Sequence, residues 1–320
     1  MVPTAEMSDS RPKVSIVLLS YDRPELLRAA LDSLLAQTYA RLEIIVVDNL
    51  SQRSEEVERV VGQHDALKLI RNAGNLGYAG GMNVGIKAAA GPYTLLTEDD
   101  IVLDADCVRQ LVAHMEEHPD TGLAAPLIYN RAAGTIRCAG GELSLGGVYR
   151  RRTYGEGARD VGQFSQPFDV TYVDGAVMFA RTDFLRDLGG FREEFFMYVE
   201  AVEFCERVSK TGRRMTIVPA AKVYHFEPPL RANSSPEFSF HRYKNLFSLY
   251  LLHAPARYLP EFFARYVLLA LLRALMGKGG DAHALLKALR WVMRRAPALL
   301  RERRADSSAA ALNIYAGKGA

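Results

Sequence analysis

The feature that most restricts this chain is a short apolar run ending in a polar residue and followed by a helical pattern, repeated through its first hundred residues. Val14 to Leu19 is rich in β-branched residues and predicts a strand. Beyond Asp22 and Pro24, the residues Leu26, Leu27, Ala30, Leu31, Leu34 and Leu35 recur at helical spacing. Leu42 to Val47 repeats the apolar run and closes on Asp48-Asn49, Ser54 to His64 reads as a polar helix, and Leu67 to Ile70 as another strand. Successive βα units of this kind imply a parallel sheet with helices on its faces. Glycines from Asn72 to Gly85 lead into a small-residue helix, and Tyr93 to Thr97 predicts a strand that ends in Glu98-Asp99-Asp100. Ligands of open parallel sheets bind at the carboxyl ends of the strands, so Asp22, Asp48 and the acidic triplet are expected to converge there.

Farther along, a helix is expected near Asp104 to His118, and the Gly-, Arg- and Tyr-rich region from Gly134 to Asp169 reads as short strands and a mobile loop. Val170 to Ala180 is apolar around Asp174-Gly175, a helix begins near Thr182, and another carries Glu200 and Glu203 before strand-like segments end at His225. From Phe238 to Arg304 the pattern is almost wholly helical. Its richest apolar stretch, Tyr266 to Met276, is broken by Arg273 and is shorter than the roughly 20 residues that span a bilayer. The expected layout is a flexible N-terminus over 1–12, an α/β domain over 13–230 with halves 13–103 and 104–230, an amphipathic helical region over 231–305, and a flexible tail over 306–320.

The helical region has two readings. Arg290, Arg294, Arg295, Arg301, Arg303 and Arg304 suit anionic headgroups, which would make it a peripheral element on the inner face of the cell membrane. Alternatively it packs on the α/β domain or on a second copy in a homodimer. The net charge of +3 over 320 residues, with no dense basic block in the first half, argues against a nucleic-acid partner. Cys107, Cys138 and Cys205 lack the paired spacing of a zinc site or disulfide frame, and the polar start of the chain lacks the apolar centre of a secretory signal, so a cytoplasmic location is expected.

Three adjacent acids repel unless something neutralises them, and a hard divalent ion such as Mg²⁺ or Mn²⁺ does so while bridging carboxylates to a diphosphate. The stretch Asn72 to Asn83 places glycines and asparagines before a helix, where free N–H groups and close backbone approach suit a phosphate or sugar; the plain alternative is a tight surface turn. It matches neither the dinucleotide fingerprint nor a P-loop.

Taken in order, Val14 to Arg23 with Pro24-Glu25, Ile44 to Asn49, Asn75 to Gly85, Tyr93 to Ile101, Val173-Asp174-Gly175-Ala176, Gly189-Gly190-Phe191, Phe195 to Tyr198, Cys205-Glu206-Arg207 and Pro219 to His225 resemble the blocks of family 2 glycosyltransferases. The resemblance runs from about Lys13 to His225. It implies a GT-A fold, an α/β doubly wound and mostly parallel sheet here carrying a helical C-terminal extension, and inverting transfer from a nucleoside diphosphate sugar to a glycan or lipid-linked acceptor. By that resemblance Asp48 contacts the nucleoside base, Ser20, Tyr21 and Asp22 line the same pocket, and Asn75, Gly77, Gly80, Asn83 and Asp99 complete the donor site. Glu98 and Asp100 match the metal motif, Glu98 departing from the usual Asp, and His225 falls where relatives supply a further metal ligand. Asp174 and Tyr198 fall on the acceptor side.

One departure bears on catalysis. Relatives usually carry Glu-Asp after the aromatic run, the Asp being the general base, and here the pair is Glu200-Ala201. Alanine cannot take a proton, so Glu200 is the first candidate base and Glu203, on the same helix face, the second. Similarity to rhamnosyl- and galactofuranosyltransferases of surface-polysaccharide assembly makes dTDP-rhamnose the first expected donor. A nucleotide-sugar-binding protein without transferase activity is the alternative that Ala201 keeps open, and a nicotinamide-dependent oxidoreductase is suggested only by the βα units and glycines.

Overall fold

A computed structural model describes residues 11–64, 66–226, 235–276 and 279–316. The first half follows the expected alternation: β1 (Val14–Ser20), α1 (Pro24–Leu35), β2 (Leu42–Asp48), α2 (Ser54–Val61), β3 (Leu67–Arg71), α3 (Gly77–Ala88) and β4 (Tyr93–Glu98). Every residue of β1 is buried, as expected of a strand covered on both faces. Helix α1 starts with Pro24 in its first turn, where a missing N–H costs nothing, and buries Leu27, Ala30, Leu31 and Leu34 against the sheet.

The second half contributes β5 (Ile101–Leu103), α4 (Cys107–Glu117), β6 (Thr121–Asn130), β7 (Thr135–Cys138), β8 (Gly141–Leu145), β9 (Tyr149–Thr153), β10 (Phe168–Val170), β11 (Val177–Arg181), α5 (Thr182–Asp187), α6 (Glu200–Lys210) and β12 (Arg214–His225). A ten-stranded sheet runs β10-β12-β6-β11-β4-β1-β2-β3, with β5 paired to β12 and β7 to β6. Strands β1 to β4 are mutually parallel, β6 and β12 are parallel, and β11 lies antiparallel between β4 and β6. Strands β8 and β9 form a separate hairpin.

Register fixes which residues share an edge. Ser20 lies opposite Asp48, and Leu19 opposite Glu98, so the polar ends of β1, β2 and β4 coincide. His225 arrives from far along the chain because β12 pairs with β5, setting His225 opposite Ile101, and the Phe226 N–H donates to the Asp100 carbonyl at 2.8 Å.

The glycine-rich stretch is not the pre-helix loop expected from sequence. Helix α3 begins at Gly77, so Gly80, Gly81 and Gly85 are helical. A Cβ on Gly81 would meet Leu19 at 2.4 Å and one on Gly85 would meet Val17 at 2.1 Å. These glycines let α3 lie close on β1; only the Asn72–Leu76 part precedes the helix.

The remaining helices are α7 (Pro236–His253), α8 (Leu259–Leu275) and α9 (Gly279–Ala316). Tyr243, Phe247, Leu249 and Tyr250 of α7 belong to the same apolar core as the sheet, so α7 is integral to the α/β body. By contrast α8 buries only Phe262 and Ala270 and exposes Val267, Leu268, Leu271, Leu272 and Leu275. The α9 backbone is helical as far as Ala316, into the stretch expected as a flexible tail, whereas the first ten residues of the expected flexible N-terminus lie outside the described residues. No helix among the described residues is long and apolar enough to cross a membrane.

Candidate active site

The acidic triplet sits where β4 ends, and its charge is met by a cation that sequence reading did not single out. Arg23, at the turn after β1, lies 2.5 Å from Asp99 and 2.7 Å from Asp100. Asp99 also accepts from the Ser20 hydroxyl at 2.9 Å and the Tyr21 N–H at 3.2 Å. Burial nevertheless pushes Asp99 up to about 7, against the pull of Arg23. Glu98 is raised well above the usual carboxylate range, first by burial and then by repulsion from Asp100. Asp100 goes the other way: burial opposes its ionisation, but the hydrogen bond and charge of His225, with those of Arg23, hold it below its ordinary value.

His225 Nε2 is 3.3 Å from Asp100 Oδ1, so the two residues that the resemblance assigns to a metal are in direct contact. The oxygen and imidazole donors suit a divalent ion, and His225 Nδ1 is buried without a hydrogen-bond partner among the described residues. Those residues contain no ready cluster of three or more His, Cys, Asp and Glu side chains, so a site at Asp100 and His225 would need Glu98 or the diphosphate itself to complete it. The residues fit such an ion.

Around this centre the other expected residues divide. Tyr21 is exposed at the rim. Asp48 is wholly buried, accepting from Ser51 N–H at 2.9 Å and from Arg71 Nε at 2.9 Å, which fixes it at the end of β2. Asp22, with φ +56°, takes the N–H groups of Gln52 and Arg53 at 2.5 and 3.1 Å and so caps the start of α2. Asn75 accepts from Gly77 N–H at 2.8 Å and Asn49 at 3.0 Å. Gly77, with φ +66°, leaves room for the Phe196 carbonyl, which a Cβ would approach to 2.3 Å. Gly80 packs within its own helix, and Asn83 is engaged by Phe191, its Nδ2 donating to the Phe191 carbonyl and its Oδ1 accepting from the Phe191 N–H, each at 2.8 Å.

On the acceptor side, Asp174 pairs with Arg137 at 2.9 Å and accepts from Ala176 N–H at 3.0 Å. Tyr198 is half-buried with φ +66° and meets Phe238 edge-on. Glu200 opens α6 with its side chain buried and Oε2 unpartnered among the described residues. Burial lifts it to about 7, the backbone N–H groups of the first turn pulling against that and Asp174 adding to it. Its charge is felt at Glu98, which places both in one electrostatic neighbourhood. Ala201 faces Gly175, where an added Cβ would lie 3.0 Å from the alanine methyl.

Glu203, the second candidate base, is withdrawn. Its carboxylate is wholly buried among Arg192 at 2.9 Å, Arg207 at 2.9 Å and His253 at 3.0 Å. Burial works against ionisation there, yet His253 and Arg207 together hold it down at about 2. A carboxylate so engaged has no affinity to spare for a substrate proton. Arg23, Arg71 and Arg137, partners of the acids, lie 77, 23 and 37 residues from Asp100, Asp48 and Asp174 and gave no local signal; Asn245, which meets the loop before Glu200, gave none beyond being a lone amide in an apolar helix.

A mostly parallel sheet with a switch to an antiparallel strand beside an acidic turn at its carboxyl edge, met by a histidine from β12, has the architecture of the GT-A fold. The chain belongs to the glycosyl transferase family 2, whose profile matches residues 15–188. It is 29% identical over 241 residues to the O-antigen biosynthesis protein RfbC of Myxococcus xanthus, which covers 72% of this chain and 18% of that protein. It is 23% identical over 239 residues to the N-acetylglucosaminyl-diphospho-decaprenol L-rhamnosyltransferase of Mycobacterium tuberculosis, covering 68% and 76%. Across four of the curated relatives it matches, the chain spans 18% to 37% of the other protein's length. The fold is shared with the mannosyltransferase PcManGT of Pyrobaculum calidifontis, solved with GDP-Man and Mn²⁺, at a TM-score of 0.55 and 17% identity over 95% of this chain and 87% of that one.

Proposed function

We propose that this chain transfers a sugar from a nucleoside diphosphate to an acceptor hydroxyl in one displacement, with inversion at the anomeric carbon. The observation that carries the reading is the Asp100–His225 pair at 3.3 Å at the sheet edge together with a buried Glu200 whose Oε2 has no partner among the described residues and whose charge acts on Glu98. Asp48 and the Ser20-Tyr21 turn border the nucleotide. Asp100 and His225, with Glu98, would hold Mg²⁺ or Mn²⁺, which when bound offsets the charge of the departing diphosphate. Glu200 takes the proton of the acceptor hydroxyl as that oxygen attacks the anomeric carbon, and the bond to the diphosphate oxygen breaks on the opposite face. A carboxyl group at about 7 is matched to that exchange near neutral pH.

The first donor to try is dTDP-rhamnose, because one relative is named for L-rhamnosyl transfer and another for O-antigen biosynthesis. A glycan or lipid-linked acceptor follows from the same names. A thermal-shift screen of dTDP-, UDP- and GDP-sugars with Mn²⁺ identifies the donor, since a ligand that binds only the folded state raises its apparent stability. Turnover of that donor should vanish on exhaustive chelation and return with Mn²⁺; full activity in chelator removes the metal from the scheme.

Ala201 favours one second reading, donor binding without transfer. It predicts a strong thermal shift and no release of nucleoside diphosphate with any acceptor offered. Peripheral membrane contact is the third part of the proposal, supported by the exposed leucines of α8 beside the basic α9, where Phe240, Lys287, Arg290, Trp291 and Arg294 line a cleft of about 470 Å³.

A further inference from the structure

The backbone immediately before Glu200 stands in a conformation that side chains disfavour. Phe196, Tyr198 and Val199 have φ of +61°, +66° and +70°, and Val199, β-branched, is the residue that caps α6. A segment of this kind keeps its shape only where its surroundings hold it. On one side α3 does so: the Phe196 carbonyl accepts from Ala79 N–H at 3.1 Å.

The other side is held from the C-terminal helices. Asn245 of α7 is wholly buried, and its Nδ2 lies 2.6 Å from the Phe195 carbonyl, 2.8 Å from that of Met197 and 2.6 Å from that of Tyr198. Lys244, the residue before it, donates to the Glu194 carbonyl at 2.5 Å. One amide carrying two hydrogens thus gathers three carbonyls that would otherwise point at one another. Its Oδ1 is buried with no partner among the described residues. An unpaired buried acceptor is destabilising, so packing alone would favour leucine at this position.

We infer that Asn245 is a positioning residue for the transfer reaction: by gathering the Phe195, Met197 and Tyr198 carbonyls it sets the left-handed turn from which the Glu200 carboxylate enters the site. The inference rests on the reading of Glu200 as base. The charged and titratable groups felt around Glu200 are Glu98 after β4, Asp174 before β11, Tyr78 on α3 and Tyr198 on the turn itself. A turn that relaxes changes the distance of Glu200 from those groups, and its titration moves with it.

The test uses the full chain, Mn²⁺, the donor that gives the largest thermal shift, and release of nucleoside diphosphate as the rate. Asn245→Leu keeps the size of the side chain and removes its donors. It should lower kcat by about tenfold or more, leave the donor KM within about twofold, and displace the pH midpoint of kcat/KM. An undiminished donor-induced thermal shift shows that the protein is folded. Asn245→Gln, which keeps the amide, should recover part of the rate. If Glu200→Gln is inactive while Asn245→Leu matches the parent in kcat and pH midpoint, the base stands and the positioning role is overturned. If Glu200→Gln is as active as the parent, the base reading falls and takes this inference with it. Should Asn245→Leu fail to fold, Asn245→Ala, which also removes the donors, is read in its place, and a parental rate and midpoint there overturn the inference.

Discussion

Two glutamates three residues apart on one helix show how environment assigns a role. Glu200 sits among acids and apolar groups and is pushed up to about 7; Glu203 sits among two guanidinium groups and an imidazole and is held at about 2. The consequences for stability have opposite signs. The folded-state value of Glu200 lies above the ordinary 4.5, so its contribution is best below about 4.5 and is lost as pH rises toward 7. Glu200→Gln should therefore gain up to about 3 kcal/mol at pH 8 in denaturant melts while losing turnover. In the parent, kcat/KM should rise with pH through a midpoint near 7, because the base acts only when deprotonated. The folded-state value of Glu203 lies below 4.5, so its contribution is complete above about 4.5 and is lost as pH falls toward 2. Glu203→Gln leaves Arg207 without its carboxylate, while Arg192 keeps Glu302, and should cost about 3 kcal/mol at pH 7, seen as a lower denaturation midpoint at unchanged slope.

Among the elements, α3 has more to do than its small residues suggest. Its first residue, Gly77, admits the Phe196 carbonyl at the helix N-terminus, and its later glycines seat it against β1. Gly77→Ala puts a methyl group 2.3 Å from that carbonyl at a positive φ, so it must displace the turn before Glu200 as well as strain the helix start. We expect a loss of about 2 kcal/mol or more in stability together with a fall in kcat, whereas Gly74→Ala, with nothing within 4 Å of the added carbon, should leave both near parental values. Equal effects of the two substitutions would reject the close approach of α3 to the turn.

Viewed whole, the molecule is built asymmetrically. Helix α7 is bound into the core and into the loop before Glu200, and α9 adds Leu285, Leu289, Val292 and Leu299 to that core, whereas Val267, Leu268, Leu271, Leu272 and Leu275 of α8 and Leu286, Met293 and Leu300 of α9 are exposed. From 262 to 300 the chain carries seven Lys or Arg and one acid. An apolar face fringed with one sign of charge suits an anionic bilayer surface. Replacing Leu271 and Leu275 with Asp should weaken co-sedimentation with phosphatidylglycerol vesicles by about tenfold or more without lowering the melting temperature. Removing everything after Phe238 would be a poor test, because it also strips the core and Asn245. Vesicle binding that survives the double substitution would point instead to a second copy of the chain on this face.

By itself the sequence determined the parallel core and the edge at which its polar strand ends gather. Apolar runs such as Val14 to Leu19, short and rich in β-branched residues, read as strands buried on both faces, and the polar residues that end them gather at one edge once the strands are parallel. Because Ala201 has no proton acceptor, the sequence also offered Glu200 and Glu203, in that order, as candidate carboxylates, without deciding between them. What it did not contain was which acids are neutralised and by what: Arg23 across Asp99 and Asp100, and the cations that take Glu203 out of the chemistry, come from elements brought together only by folding. The glycines of α3 read as a loop because local propensity favours one, and close packing on β1 overrode it. Asn245 was invisible for the same reason, since a hydrogen bond between residues about fifty apart leaves no local pattern, and only the packed structure puts donor and carbonyl within reach.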